Sequence, residues 1–224
     1  MIRSGLKLAF YLLFLGLSGG LKAQDDAGLW TSVSLQHKFT QQWAGAVSEQ
    51  FRLFDNCSRV DQFFTDLSLE YNITKKLKAS LNYRLISKNN ETYYSTRHRF
   101  YLDLSYKLKI DPLVISLRER IQEQFRDIHS SETGKVPEWY SRTKLNVKFD
   151  LNRKYTPYLA TEMFYVIDNA KETDRVIDRY RYEAGVDYEI NLKHSINLFY
   201  LIQHSLVSPA NDYIIGIGYT FTSF

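Results

Sequence analysis

Arginine is the residue type in this sequence with the clearest capacity for specific chemistry. A guanidinium group is planar and donates paired hydrogen bonds to a carboxylate, phosphate or sulfate. Nine basic residues occupy polar positions of alternating segments, and we predict that they bind an anion together: Arg84, Arg97, Arg99, Arg118, Arg120, Arg142, Lys144, Arg179 and Arg181. Arg52 occupies an equivalent position. The fold must therefore bring residues from distant parts of the chain to one place.

Patterns for catalysis and metal binding are weak by comparison. A lipid hydrolase would need a serine and a histidine within hydrogen-bond reach, and Ser87 and His98 are the candidates, without a Gly-x-Ser-x-Gly motif. The histidines show no HxH or HExxH spacing. The acidic segment 168–174 contains Lys171 and lacks the glycine of a calcium loop. We predict no enzyme activity, no metal and no cofactor, and keep the hydrolase as an alternative.

Length and composition limit the class of protein further. The chain has 224 residues, which suggests one domain, and its single cysteine excludes a disulfide scaffold. A net charge of +4, spread through the chain, gives little reason to expect a nucleic-acid partner. A mean hydropathy of −0.35 excludes a bundle of membrane helices.

Residues 1–23 have the organisation of a secretory signal peptide. Arg3 and Lys7 precede an apolar stretch of ten residues from Leu8 to Leu17, and small residues lead to Ala23. That stretch is too short for a membrane-spanning helix, which needs about 20 residues. We predict export, cleavage near Ala23 and a single mature domain over residues 24–224.

The mature chain alternates between apolar and polar residues. In residues 62–73, for example, Phe63 and Leu67 alternate with Asp66 and Glu70. Five such segments, 62–73, 77–86, 97–108, 140–151 and 179–190, carry no Asp, Glu, Lys or Arg on their apolar faces and 17 on their polar faces. A period of two indicates β-strands with one apolar face and excludes amphipathic helices.

Two classes of β-protein share this alternation. A soluble lipocalin-like carrier turns its apolar faces inward, whereas an outer-membrane barrel turns them to lipid. Segments of about 10–12 residues match the length that crosses a bilayer, and aromatic residues near segment ends are typical of an interfacial girdle: Trp30, Trp43, Tyr71, Tyr83, Trp139, Tyr158, Tyr188, Tyr200 and Tyr219. We predict an all-β fold, a closed antiparallel transmembrane β-barrel, and keep the carrier as an alternative.

Connections between segments alternate between short and long. Short links fall near 40–42, 74–76, 109–112, 152–156 and 191–193, and long links at 55–61, 87–95, 126–138, 168–178 and 207–212. We expect the short turns in the periplasm and the longer loops outside. Adding six segments, 29–39, 43–54, 113–125, 157–167, 194–206 and 213–224, gives eleven strands, whereas bacterial barrels normally have an even number. Eleven strands would also put the start of segment 29–39 on the outer side, so either that segment is not a barrel strand or one segment contains two strands. We predict 10–12 strands.

This topology places the basic residues near the outer ends of their strands. The acids, such as Asp103 and Asp187, lie nearer the periplasmic end. Glu49, Glu119 and Glu162 follow a short turn by about seven residues, and strict alternation puts each on an apolar face. Because a carboxylate facing lipid is costly, we predict a β-bulge in each strand that turns it into the lumen. The resulting Arg–Glu belt is either structural or the wall of an anion-binding vestibule.

Several short motifs resemble those of known proteins. A terminal Phe224 after alternating aromatics resembles the signal that the outer-membrane assembly machinery recognises, so that machinery is a predicted partner. The leader ending at Ala23, the first segment with Trp30 and the basic turns 75–77, 153–155 and 192–194 resemble an outer-membrane barrel family catalogued as domain of unknown function 2490. The resemblance covers most of the mature chain and implies an outer-membrane location without a known activity.

We therefore predict a small barrel in the outer membrane whose partner is the lipid bilayer. Its predicted role is a narrow anion pore, or the binding of anions or surface ligands through the arginine-lined vestibule.

Overall fold

The computed structural model describes residues 25–126, 133–152, 154–168, 177–207 and 211–224. Within these residues the chain forms eleven strands: β1 Asp26–Lys38, β2 Trp43–Phe54, β3 Arg59–Asn72, β4 Leu77–Asn89, β5 Tyr94–Ile110, β6 Leu113–Arg126, β7 Glu138–Phe149, β8 Tyr155–Asp168, β9 Ile177–Glu189, β10 His194–Ser205 and β11 Asn211–Ser223. A single 3-10 turn, Thr133–Lys135, accompanies them in the described part. The predicted leader lies outside the described residues. No helix among them is long and apolar enough to cross a membrane.

The strands carry their apolar faces outward and their polar faces inward. Leu81 is 61% exposed and Ile215 is 62% exposed, although both are large aliphatic side chains. Arg120 and Asp103, in contrast, are buried inside the barrel. Because successive side chains of a strand point to opposite faces, the alternation in the sequence produces this distribution directly. It is the arrangement of an outer-membrane barrel and the reverse of a soluble carrier.

The barrel closes between strands that run in the same direction. Each strand pairs with its neighbour in sequence, and β1 closes the ring against β11 in parallel, from Asp26 opposite Asp212 to His37 opposite Ser223. In an up-and-down barrel with an odd number of strands, the first and last strands necessarily run in the same direction. The eleven strands counted from the sequence are therefore confirmed, and the expectation of an even number is wrong for this chain.

Two acidic residues fix the start of β1 on both of its sides. The carboxylate of Asp26 accepts hydrogen bonds from the backbone N–H groups of Asp55, at 3.1 Å, and Asn56, at 2.9 Å. Asp55 and Asn56 both have a φ of 54°, a conformation that Asp and Asn tolerate better than most residues. On the other side, Asp25 accepts from the backbone N–H of Asn211, at 3.1 Å. The Asp25 contact bridges the parallel seam between β1 and β11, and the Asp26 contacts fix β1 against the turn between β2 and β3.

The connections at the two ends of the barrel differ in length. The end where β1 begins, called the loop end here, has connections of 55–58, 90–93, 127–137, 169–176 and 206–210. The opposite end, called the turn end, has 39–42, 73–76, 111–112, 150–154 and 190–193. Two connections expected to be long, 55–61 and 87–95, are four-residue turns because their strands continue further than the alternation indicated. The asymmetry comes mainly from 127–137 and 169–176, and it places the loop end outside.

Aromatic residues form part of a girdle near the turn end. On the outer surface, the rings of Trp43 and Tyr71 lie 4.6 Å apart, as expected for a girdle. Two members of the predicted girdle lie inside instead. Trp30 lines the lumen, and the buried hydroxyl of Tyr158 donates to Glu183, at 2.6 Å. Both correct the expectation that aromatic residues near strand ends face the membrane interface.

Candidate functional site

The lumen contains a cavity of about 580 Å³ in the half of the barrel nearer the loop end. We call this cavity the vestibule. Among the described residues that line it, twelve are basic: Arg52, Arg84, Lys88, Arg97, Arg99, Arg118, Arg120, Arg126, Arg142, Lys144, Arg179 and Arg181. Six are acidic: Asp26, Asp61, Glu162, Asp178, Glu183 and Asp212. All nine basic residues predicted from the sequence are included, and the described lining has twice as many cations as anions.

Glu162 is the acidic centre of the vestibule. Its carboxylate accepts hydrogen bonds from Arg142 Nη2 at 2.8 Å and from Arg118 Nη2 at 2.5 Å, and Arg181 Nη1 lies 3.6 Å away. Glu162 lies in the lumen, as predicted, but no bulge turns it there, because the pairing of β8 is regular through this position and its register shifts lie beyond Phe164. Glu162 lies on the inner face of β8 by simple alternation with Phe164, an apolar residue that also faces inward. Three guanidinium groups therefore share one negative charge.

Two further arginines are neutralised one to one at the base of the vestibule. Arg84 Nε donates to Asp66 Oδ1 at 2.9 Å, and the hydroxyl of Tyr101 donates to the same carboxylate at 2.8 Å. Arg120 donates to both oxygens of Asp103, at 2.6 and 2.7 Å. These fork-shaped pairs are strong and geometrically defined. They fix the arginines between neighbouring strands and add little net charge.

Arg52 and Arg99 are held by amide groups instead of carboxylates. Arg52 Nη2 donates to Gln50 Oε1 at 2.8 Å, and Arg99 Nε donates to Gln124 Oε1 at 2.9 Å. The Nε atoms of Arg52 and Arg118 are buried and have no hydrogen-bond partner among the described residues. A buried donor without an acceptor is unfavourable, so these two groups are the least satisfied donors of the described lining.

Aromatic rings orient several of these guanidinium groups. The Cζ atom of Arg52 lies 3.6 Å from the ring centre of Trp30, and that of Arg181 lies 5.3 Å from it. Arg84 stacks on Phe64 at 3.8 Å. Stacking favours the cation and leaves its N–H edge available. Trp30 was missed as a site residue, although it shares the strand face of the polar residue Ser32.

Glu49 and Glu119 lie on the outer surface, and their predicted bulges are absent. The pairing of β1 with β2 and of β6 with both its neighbours is regular through these positions. Glu49 accepts a hydrogen bond from Thr65 Oγ1 at 2.7 Å, and Glu119 accepts from Thr143 Oγ1 at 2.6 Å and from Ser141. Hydroxyl donors on the adjacent strand lower the cost of each carboxylate at the membrane surface, so no inward rotation is needed.

The alternative catalytic and metal sites gain no support from the side-chain geometry. Nδ1 of His98 forms a hydrogen bond with the hydroxyl of Tyr83, at 2.8 Å. Ser87 lies opposite Thr96 in the pairing of β4 with β5, and not opposite His98. In the part of the chain that the structure covers, no three His, Cys, Asp or Glu residues stand close enough to hold a metal ion. Most of the acidic segment 168–174 lies outside the described residues.

The chain end lies at the turn end of the barrel. The exposed ring of Phe224 follows β11, and the ammonium of Lys38 lies 4.5 Å from its centre. This placement leaves the aromatic end accessible, and its recognition by the assembly machinery stays a prediction.

Comparison with solved structures places the fold among outer-membrane barrels. The NanC porin superposes with a TM-score of 0.51 at 12% identity, over 79% of this chain and 85% of that chain. The KdgM porin in complex with disordered oligogalacturonate gives a TM-score of 0.45 at 12% identity, over 77% and 82%. The translocator domain of the autotransporter NalP from Neisseria meningitidis gives 0.42 at 12% identity, over 76% and 71%.

Sequence comparison then assigns the family. Among curated proteins none matches this sequence. The model of the family described as "Protein of unknown function (DUF2490)" matches residues 27–213, which span β1 to the first residues of β11. The chain, an outer-membrane β-barrel of eleven described strands, therefore belongs to the DUF2490 family.

Proposed function

We propose that this barrel is a narrow anion-selective pore whose vestibule attracts anions from the outer side. The observation that carries the proposal is the excess of basic side chains in the described lining, which remains when Asp66, Asp103 and Glu138, the partners of three lining arginines, are counted with the six acids. Rings of Arg and Lys select anions in pores. The likeness to the NanC porin supports the proposal at the level of the fold alone.

The arrangement of the arginines supports attraction of a mobile ion. The guanidinium groups of Arg52 and Arg99 donate to neutral amide oxygens. These hydrogen bonds therefore do not neutralise the two positive charges. Arg118, Arg142 and Arg181 share the single charge of Glu162. Walls of low dielectric constant concentrate the field of such charges within a cleft and raise the local concentration of counter-ions.

The competing role is a structural belt that fills a closed barrel. The one-to-one pairs of Arg84 with Asp66 and Arg120 with Asp103 favour it. Barrels of about eight strands are filled by their own side chains, and those of 16–18 leave an aqueous channel. Eleven strands lie between these limits, so conductance distinguishes the two roles.

Planar-bilayer recording tests the proposal. We expect the wild-type protein to conduct and to prefer chloride over potassium, read from the reversal potential in a potassium chloride gradient. The double variant Arg97→Gln/Arg99→Gln should lower the anion preference roughly fivefold, because two charges about 8 Å from an ion in water change its energy by about 1 kcal/mol together.

A matched control removes the same charge elsewhere. Lys75→Gln/Lys76→Gln changes two exposed residues of a turn at the other end, and we expect unchanged selectivity. Absence of conductance in the wild type would leave only the structural role, and a double variant with wild-type selectivity would contradict anion selection by Arg97 and Arg99.

Export and assembly complete the proposal. We propose that residues 1–23 are removed near Ala23, that residues 24–224 form one domain, and that Phe224 is recognised during insertion. The first segment lies outside the described residues, and the exposure of Phe224 supports the last point.

A further inference from the structure

One wall of the vestibule contains a cluster of apolar side chains. It forms where β10, β11 and β1 meet at the closing seam, and Phe199, Leu201, Ile214 and Trp30 line the cavity there. Leu201 pairs with Ile214 across the sheet, and both are only 3% exposed. In front of them, the rings of Trp30 and Phe199 meet edge to face at 6.5 Å and are partly exposed. The seam therefore presents aromatic rings backed by packed aliphatic residues, with Arg52 stacked on one side of the Trp30 ring and Asp26, Gln203 and Asp212 beside them.

The opposite wall carries only charged and amide groups. In the closed ring, β11 lies five strands from β5 and five from β6, so these two strands face the seam across the lumen. In the described part of the chain, no apolar side chain of β5 or β6 lines the cavity. Arg99 and Arg118 are on this wall, and Arg118 Nε is one of the two buried donors without a partner.

Selective passage of inorganic ions does not require apolar side chains in the lining of a pore. Aromatic surface in contact with water is unfavourable, and an ion that keeps its hydration shell does not cover it. A ligand with one anionic end and one apolar end would satisfy both walls together. The cavity, at about 580 Å³, has the size of sites that take small organic molecules.

We infer that the vestibule binds amphiphilic organic anions. The anionic group, a carboxylate, sulfonate or phosphate, lies on the arginines of β5 and β6, and a compact apolar body lies on Trp30 and Phe199. This inference rests on the proposed function and names the class of anion that the same site prefers.

The fluorescence of Trp30 provides a direct test. The chain has three tryptophans; Trp30 lines the vestibule, and Trp43 and Trp139 lie on the opposite face of their strands. In the variant Trp43→Phe/Trp139→Phe, Trp30 is the only tryptophan. It is titrated with cyclohexanecarboxylate, with acetate, which lacks the ring, and with cyclohexanol, which lacks the charge.

We expect cyclohexanecarboxylate to bind with a dissociation constant at least about tenfold below that of acetate, because burial of two methylene groups is sufficient for this difference. Cyclohexanol should give no saturable change. The variant Trp30→Phe, whose tryptophans lie only on the outer surface, reports partition into detergent or lipid and should also show no saturable change.

A wall variant adds a second measurement. In Phe199→Asn, introduced into the same reporter background, the difference between cyclohexanecarboxylate and acetate should fall below about threefold, with the affinity for acetate retained. If this variant does not assemble, the ratio of the two dissociation constants measured with Phe199 in place is sufficient to test the inference.

The outcomes separate this inference from the proposed function. Equal affinities for acetate and cyclohexanecarboxylate would overturn the inference and leave an anion site in place. Absence of binding by both anions, together with a pore that lacks anion preference, would overturn both.

Discussion

Replacement of Glu162 by glutamine is expected to destabilise the barrel by about 3 kcal/mol, because removing one member of a buried ion pair leaves its partners without compensation. The side chains of Glu162 and Arg142 are 6% and 7% exposed. Arg118 and Arg181 contact the same carboxylate, so one substitution leaves three neighbouring cations that repel each other. The midpoint of urea unfolding in lipid vesicles measures the loss.

Glu70→Gln is the matched control for this prediction. Glu70 also faces the lumen, but it has one partner, Lys78 at 3.0 Å, and the side chains of this pair are 22% and 40% exposed. Exposed pairs contribute little, so we expect a loss below about 1 kcal/mol. Equal unfolding midpoints for the two variants would mean that the arginines do not depend on Glu162.

Substitution of Gly216 is expected to have the second largest effect. A Cβ atom at this position would stand 1.9 Å from Cζ and 2.1 Å from Cε1 of Phe199. The ring lies directly over the glycine, so Gly216→Ala must push it into the vestibule. We expect a loss of about 1–3 kcal/mol, typical of overpacking, and a lower single-channel conductance.

Gly218 offers a control on the same strand and the same face. A Cβ there would meet Ser32 Oγ at 2.9 Å, and a hydroxyl can rotate away. Gly218→Ala should therefore keep both stability and conductance. In a Phe199→Ala background, Gly216→Ala should add little further loss, because the two positions are coupled through one contact. Full additivity of the two substitutions would contradict the proposed packing.

Alternation alone predicts most of this fold. The charge-free faces of segments such as 77–86 and 97–108 are the outer faces of β4 and β5, and the positions of Arg84, Arg97 and Arg99 on the polar faces place them in the vestibule. Every second residue of a strand faces the same side of the sheet. Residues far apart in the sequence can therefore be assigned to the lumen from their positions along the strands.

The errors arise where alternation and energetic expectation disagree. Glu119 follows alternation and faces outward, because Thr143 supplies a donor on the next strand that the sequence pattern does not place. The inner face of β8 carries the aromatic residues Phe164 and Tyr158. Because of them, the sequence pattern assigned this face to the lipid. Position along the strand decides which face these residues occupy, and neighbouring strands supply the contacts that stabilise them there.

The strand number shows a second limit of sequence reasoning. Eleven segments can be counted directly, and an odd count in a closed ring requires β1 and β11 to run in parallel, but the alternation does not give the register of that pair. The carboxylate of Asp25 bridges that seam by accepting from the backbone N–H of Asn211, 186 residues further along the chain. Contacts between the first and last strands depend on closure of the whole ring and leave no periodic signal.

The most direct test of the account is the position of bound anions in the lumen, measured by anomalous diffraction from crystals soaked in bromide. We predict a bromide ion in the vestibule within hydrogen-bond distance of the guanidinium group of Arg52 or Arg99, the two arginines held by amides instead of carboxylates. A crystal structure with ordered arginines and bromide bound only at the outer surface would contradict the assignment of the vestibule as an anion site.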